Sequence, residues 1–362
     1  PYVLRLRSQG SPDKEITFVD TIKGEIKLPE NIHDIVLLKK DGIPTYHFAH
    51  AIDDHLMRTT TVVRGGEWLA SAPIHYELFH LLGFKMPAYA HTAHLMKFDE
   101  ETGGKRKLSK RKDPELSLDY YRKDGYHPYT MKVYLLTLLN SNFEEWHEKF
   151  PDKDINEFPF SVEKMNQSGA LFDKDKLHNI CKNELSKLSE EELYDFLYDW
   201  AKENEPENVE KWFGDREKML QILRLYMGVG AKRRRKDLMY AKQIFELISY
   251  FFDGESSEEM DEFKLDDDMV SKILKSYLAK YDHNDDNSVW FNKLKEIADE
   301  HGFASDMKAY KANPENFKGN VSDIAEAVRI AVAGRANTPD LWTIVHIMGE
   351  EQMTERIKKH IK

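Results

Sequence analysis

Thr60-Thr61-Val62-Val63-Arg64-Gly65-Gly66 decides how the first hundred residues fold. A β-branched run that stops on a glycine pair reads as a buried strand ending in a turn. From Ser71 to Leu82 the apolar spacing then changes to three and four. Ser71 is placed as an N-cap, Pro73 falls in the first turn and Gly83 sits just past the end, the usual punctuation of a helix. A strand feeding a helix is the unit of an α/β layer, so residues 48 to 98 are expected to be α/β.

Upstream, residues 1 to 47 look β-rich. Ile16-Thr17-Phe18-Val19-Asp20 and Ile35-Val36-Leu37-Leu38 are short β-prone runs, and Lys40-Asp41-Gly42 offers turn chemistry before a further run, Thr45-Tyr46-His47-Phe48. Downstream, the chain is almost wholly helical. Tyr129 to Leu139, Glu190 to Trp200, Lys218 to Met227, Ile244 to Phe252, Val270 to Leu278, Val289 to Ala298 and Val321 to Ala333 carry helical apolar stripes, which read as core. Pro339 to Met348 and Thr354 to Ile361 are expected to close the chain as short helices. The acidic tract Asp253 to Asp268 reads as a linker or surface crossing. No internal repeat is visible.

With 362 residues, 41% of them hydrophobic, several domains can each bury a core. Cys181 is the only cysteine, so no intramolecular disulfide can form and a cytoplasmic location is expected. No apolar run approaches the length of a membrane span, and no signal-peptide pattern opens the chain. The opening Tyr2-Val3-Leu4-Arg5-Leu6-Arg7 alternates like a strand already under way, which suggests that an upstream portion is missing.

The net charge is -11, yet Lys105-Arg106-Lys107-Leu108-Ser109-Lys110-Arg111-Lys112 gathers six cations around a Leu-Ser pair. Against an acidic background such a cluster acts only over about 8 Å at physiological salt. It reads either as a solvated loop between Gly103-Gly104 and Asp113-Pro114 or as a loop that handles phosphate. A second run, Lys232-Arg233-Arg234-Arg235-Lys236, follows Gly228-Val229-Gly230 and reads either as a solvated surface or as an RNA-phosphate contact. Eight histidines (His33, His47, His50, His55, His75, His80, His91 and His94) crowd the first hundred residues without a His-Glu-x-x-His pair or a cysteine cluster, so no bound zinc is expected. The absence of a Gly-x-Ser-x-Gly elbow speaks against a serine hydrolase.

Taken together, Gly42-Ile43-Pro44-Thr45-Tyr46-His47-Phe48-Ala49, Ala51-Ile52-Asp53-Asp54-His55, Val62-Val63-Arg64-Gly65-Gly66-Glu67-Trp68 and Lys107-Leu108-Ser109-Lys110-Arg111 closely resemble the downstream three-quarters or so of a bacterial glutamyl-tRNA synthetase, a class I aminoacyl-tRNA synthetase. The resemblance runs on to Ala333-Gly334 and Thr338-Pro339-Asp340-Leu341. It implies an α/β part followed by an all-α part. Residues 1–47 would end the acceptor-stem insertion, 48–98 form the second half of a Rossmann-type catalytic fold, and 99–185 carry the signature loop and stem contact. Two helical anticodon-binding subdomains would follow, at 186–268 and 269–362.

The resemblance also assigns roles. Lys107, Ser109, Lys110 and Arg111 correspond to the family's mobile signature loop, with Lys110 the principal phosphate contact. Glu67, Trp68 and Leu95 correspond to positions beside ATP, Leu95 through its backbone. Tyr46 and Arg64 correspond to glutamate-binding positions, an arginine fork being suited to a carboxylate. His50 corresponds to a position beside the glutamate, where the family often has Asn or an apolar residue. Lys232, Arg233, Arg234, Arg235 and Lys236 fall in the anticodon-binding region. The implied activity is ATP- and Mg²⁺-dependent formation of glutamyl-adenylate and transfer to tRNA(Glu), by a monomer away from membranes. The rival readings are a glutaminyl or non-discriminating glutamyl enzyme, and a tRNA-binding remnant without catalysis, because the His-Ile-Gly-His type motif is absent.

Overall fold

The computed structural model describes residues 2–99, 101–252 and 260–362; residues 253 to 259 of the expected acidic linker lie outside the described residues. The chain divides into two compact units. One comprises Pro1–Leu118 with Met131–Leu177, the other Asp119–Thr130 with His178–Lys362.

The first unit holds the sheets. Strands β1 (Leu4–Arg5), β2 (Glu15–Asp20), β3 (Gly24–Pro29) and β4 (Val36–Leu38) lead into helix α1 (Tyr46–Leu56). Then come β5 (Thr61–Gly65), α2 (Ala72–Leu81) and β6 (Ala88–Thr92). The main sheet has the order β3-β2-β6-β5, with β2 antiparallel to β3 and parallel to β6, and β5 parallel to β6. A second sheet, in the order β8-β7-β9, joins β7 (Leu95–Phe98), β8 (Lys105–Lys107) and β9 (Ala170–Leu171).

The strand at Thr61–Gly65 forms, but it is not the buried strand that its β-branched run suggests. It lies at the edge of the main sheet, and Val63 is 54% exposed. A parallel strand with one open edge keeps unpaired backbone groups along it. Phe18, Ala72 and Tyr89 form the core beneath this sheet, and Leu6, Leu37, Ala51, Leu78 and Phe79 form the core shared with α1 and α2.

The expected run Thr45-Tyr46-His47-Phe48 is not a strand. The turn at Lys39–Gly42 forms, with Gly42 at φ +82°, but the returning chain pairs only at the Leu38–Pro44 bridge. Thr45 occupies the N-cap position of α1 without a side-chain capping bond, its hydroxyl donating instead to the Val36 carbonyl at 2.6 Å. Burial of Ala51, with Phe48 packed against the same core, decides in favour of the helix.

The helix after β5 runs over Ala72–Leu81, with Gly83 at φ +66° just beyond it. In the second unit the periodic segments form helices at Glu190–Asn204, Arg216–Met227, Ala241–Ile248, Asp267–Lys280, Asn287–His301, Val321–Ala333, Leu341–Met348 and Glu350–Lys358. Their starts follow from local chemistry. Ser189 and Glu192 form a reciprocal capping box, and the Asp215, Asp266, Asp286 and Asp340 carboxylates each accept a first-turn N–H. One continuous core fills this unit, including Leu197, Leu223, Phe251, Leu274, Leu294, Val328 and Val345. Among the described residues no helix is long and apolar enough to cross a membrane.

Candidate active site

Helix α1 and the ends of β5 and β6 bring a dense set of rings and charges together. Tyr46 stacks on Trp68 with ring centroids 4.3 Å apart and lies parallel to His50 at 5.9 Å. Arg64 sits among them, with its guanidinium carbon 4.8 Å from the Tyr89 ring centre and 5.9 Å from that of Trp68. The sequence-based candidates Tyr46, His50, Arg64 and Trp68 therefore share one site.

The hydrogen bonds of Arg64 define what it still offers. Its Nε donates to His91 Nε2 at 2.9 Å, Nη1 lies 3.2 Å from His75 Nδ1, and Nη2 donates to the Trp68 carbonyl at 3.5 Å. A guanidinium has five N–H groups. By count, one N–H on each terminal nitrogen has no partner among these contacts, and paired guanidinium N–H groups suit a carboxylate.

Several imidazoles are held neutral around this cation. Burial, with the charges of His50 and Arg64 next, pushes His75 down to about 2. A neutral His75 that accepts from Arg64 at Nδ1 carries its proton on Nε2, which then donates to His47 Nδ1 at 2.9 Å. His47 is lowered by burial and by Arg64. His50 is wedged between Asp54, 2.6 Å from its Nδ1, and the Tyr89 hydroxyl, 2.7 Å from its Nε2. Burial lowers His50 against the opposing pull of Asp54, and burial also raises the Tyr89 phenol well above its ordinary range.

Glu67 stands apart from the ring cluster. It lies in the 3-10 turn Gly66–Ser71, and its Oε2 is 3.5 Å from Nδ1 of His94, the residue that precedes β7. Leu95 opens β7, and its carbonyl already accepts the Leu108 N–H at 3.0 Å.

The basic run is less loop-like than its composition suggests. Lys105–Lys107 form β8 against β7, Leu108 is buried, and Arg106 is drawn back onto Asp99 and Asp113. Asp113 also accepts the Ser109 N–H at 2.8 Å and lies 3.2 Å from the Lys97 ammonium. These partners, Arg106 foremost, hold its carboxyl far below the usual carboxylate range. Lys107, Lys110, Arg111 and Lys112 remain exposed on a segment fixed at both ends, while Ser109 is half-buried.

In the second unit, a cavity of about 740 Å³ is lined by residues that include Arg224, Arg233, Arg235, Pro339, Asp340, Thr343 and His346. Of the second basic run, Arg233 and Arg235 line it. Arg235 is also paired with Asp237 at 2.6 Å, and Lys236 donates to the Asn183 side chain at 2.7 Å. Lys232 and Arg234 are exposed outside the lining. Among the described residues no group of three His, Cys, Asp or Glu side chains could hold a metal ion.

Residues 1–179 match the family of class I tRNA synthetases for glutamate and glutamine over their catalytic domain, and residues 192–361 match an anticodon-binding domain. Glutamate–tRNA ligase of Alkaliphilus metalliredigens is 30% identical, with 99% of this chain and 68% of that protein covered. The chain belongs to the glutamate–tRNA ligase family. Another family member, from Acetivibrio thermocellus, is 53% identical over 360 residues, 99% of this chain and 65% of that protein. A crystal structure of the glutamate–tRNA ligase of Elizabethkingia meningosepticum with its amino acid superposes at a TM-score of 0.71, with 25% identity, covering 99% of this chain and 68% of that one. The chain thus spans about 65% of the length of such curated ligases, somewhat less than the three-quarters expected from the motifs.

Sequence reading had not singled out Asp20, His75 or His91 for roles beside Arg64, nor Arg224, Thr343 and His346 in the helical unit. Asp20 lies 71 residues from His91, and no local pattern links them.

Proposed function

We propose that this protein acts as a glutamate–tRNA ligase, joining glutamate to tRNA(Glu) through glutamyl-adenylate. The observation that carries the reading is Arg64, a cation with N–H groups to spare, held beside Tyr46 and Trp68 in a member of this family. A side-chain carboxylate on that guanidinium would distinguish glutamate by charge and shape.

Attack of the glutamate α-carboxylate on the ATP α-phosphorus forms the acyl–phosphate bond and releases pyrophosphate with Mg²⁺. Negative charge grows on the phosphoryl oxygens as it does so. Lys107 and Lys110, exposed on a segment tied at Asp113, are the cations proposed to engage that charge, with Lys110 foremost. Ser109 and Arg111 order or supplement the same segment. Glu67, Trp68 and the Leu95 backbone are the proposed nucleotide-side contacts, and His50 flanks the amino acid.

The open edge of β5 supports the reading that a preceding half of the nucleotide fold, with the family's other signature motif, pairs there. The proposed organisation is an insertion end at 1–47, the half-fold at 48–98, a stem-contact region at 99–185, and anticodon subdomains at 186–268 and 269–362. The cavity lined by Arg233 and Arg235 is the proposed RNA contact, and Arg234, Lys232 and Lys236 would add charge around it. A monomer in the cytoplasm is the proposed working form. Among the described residues of 186–362 no strand occurs, which favours this ligase over a glutaminyl enzyme with a β-barrel anticodon region.

Glutamate-dependent ATP–pyrophosphate exchange with tRNA present tests the reading. The full-length protein should support exchange, whereas residues 1–362 alone should bind tRNA without it. Exchange by residues 1–362 would contradict the missing half-site, and failure of the full-length protein would contradict the ligase reading.

A further inference from the structure

Arg64 and His91 are register partners on the adjacent parallel strands β5 and β6. Behind them, on β2, lies Asp20, with side chains of Asp20 and His91 both fully buried. One Asp20 oxygen, Oδ2, accepts the His91 backbone N–H at 3.0 Å and lies 2.6 Å from His91 Nδ1. The other, Oδ1, accepts the N–H groups of Ile22 and Lys23, each at 2.9 Å. With all four of these contacts made to N–H groups, the carboxylate is fixed in rotation.

A fixed carboxylate dictates the imidazole tautomer. His91 must carry its proton on Nδ1, facing Asp20, which leaves the Nε2 lone pair pointing at Arg64. Burial keeps the ring neutral against the opposing pull of Asp20. A proton on Nε2 would instead set N–H against N–H, and the guanidinium would have to turn away.

We infer that Asp20 and His91 form a positioning dyad that sets the rotation of the Arg64 guanidinium beside Tyr46 and Trp68, where the proposed amino-acid site lies. The inference rests on the proposed role of Arg64 in binding the substrate carboxylate. His91 touches no substrate on this account; it acts through Arg64.

The two amide replacements of His91 separate positioning from mere packing. In His91→Gln the side-chain oxygen can reach the place of Nε2 and accept from Arg64, but the link to Asp20 is lost. In His91→Asn the amide nitrogen can take the place of Nδ1 and satisfy Asp20, but Arg64 loses its acceptor. Calorimetric titration of the full-length protein with L-glutamate should find His91→Gln within about threefold of the unsubstituted protein and His91→Asn weaker by roughly tenfold or more, the scale expected of a misplaced binding group. Asn equal to or better than Gln would overturn the inference, since satisfying Asp20 would then be the whole role of His91.

Nitrogen-15 NMR supplies a readout that needs neither glutamate nor a folded variant. The unsubstituted protein should show an exchange-protected Arg64 Nε–H and a His91 protonated on Nδ1 alone. An unprotected Nε–H, or a proton on His91 Nε2, would overturn the dyad. If the unsubstituted protein shows this pattern but does not bind glutamate, the dyad stands and the ligand reading of Arg64 fails.

Discussion

Arg106 places its two terminal nitrogens on the carboxylate of Asp113 at 2.6 and 2.7 Å, and the Asp113 side chain has no exposed surface. Because Asp113 also takes the Ser109 N–H, one carboxylate ties the strand before the Lys107–Arg111 segment to the residues after it. Motion of the exposed cations is thereby confined to a short span between fixed ends.

Asp113→Asn exchanges an ionised acceptor for an amide that turns one N–H group toward its donors. Trypsin cleavage within 107 to 112 should become roughly tenfold faster, because cleavage follows the population of the opened segment. A cleavage rate unchanged from the unsubstituted protein would show that the tie does not restrain the segment. The pH dependence has a definite sign. A carboxylate depressed in the folded state contributes its stability above its ordinary range and loses it as pH falls toward the folded value. Protection should therefore hold at neutral pH and fade below about pH 4.

His75 gives a second case of the same sign, at a higher pH. It is a base whose folded value, about 2, lies far below its ordinary value, so the unfolded chain binds the proton more readily. Stability is full above about pH 6.5 and falls as the pH drops from there toward the folded value, by up to roughly 1.4 kcal/mol per pH unit. His75→Gln should remove that slope between pH 6 and 5, read as urea midpoints. Parallel slopes for the two proteins would place the neutral imidazole elsewhere.

How much of this was legible in the sequence depends on whether neighbouring residues carried the signal. Pro73 and Gly83 bracket a helix by local chemistry, and Ala72–Leu81 formed where they indicated, but Ser71 is not the expected side-chain cap: its backbone already continues the preceding 3-10 turn and its hydroxyl caps no N–H. Thr45-Tyr46-His47-Phe48 reads as strand because Thr45, Tyr46 and Phe48 favour β structure, yet Tyr46–Leu56 is a helix. Packing of Phe48 and Ala51 against Leu78 and Phe79 outweighs that preference. In the basic run, composition offered no sign that Arg106 belongs to the fold, because its partner Asp113 lies outside the run and β8 depends on β7 and not on its own sequence. The cluster around Arg64 was half legible. The resemblance supplied Tyr46, His50, Arg64 and Trp68, whereas Asp20 and His91 meet only through strand order.

The two proposed binding functions should separate kinetically. Lys110→Ala should lower the rate of adenylate formation roughly 100-fold with little change in the Michaelis constant for glutamate, because its contact strengthens as the phosphate charge grows. Arg64→Ala should raise that Michaelis constant roughly 10- to 100-fold, the scale of a lost charged hydrogen-bond pair. If Lys110→Ala changed only the glutamate constant, its assignment to the transition state would be wrong.

In the helical unit, Arg233 lines the cavity and has exposed surface, so Arg233→Ala should weaken tRNA(Glu) binding and lower the salt slope by about one unit. Filter binding at several salt concentrations measures both. Lys236→Ala, whose ammonium is turned onto Asn183, should change them less. Equal effects would point to a diffuse basic surface in place of a cavity contact.

Aminoacylation of purified tRNA(Glu) by the full-length protein, with labelled glutamate and glutamine in competition, tests the central claim most directly. The expected result is glutamate attached to the tRNA, with attachment at limiting glutamate reduced roughly 10- to 100-fold by Arg64→Ala. Preferential attachment of glutamine, or attachment of glutamate that does not depend on Arg64, would contradict it.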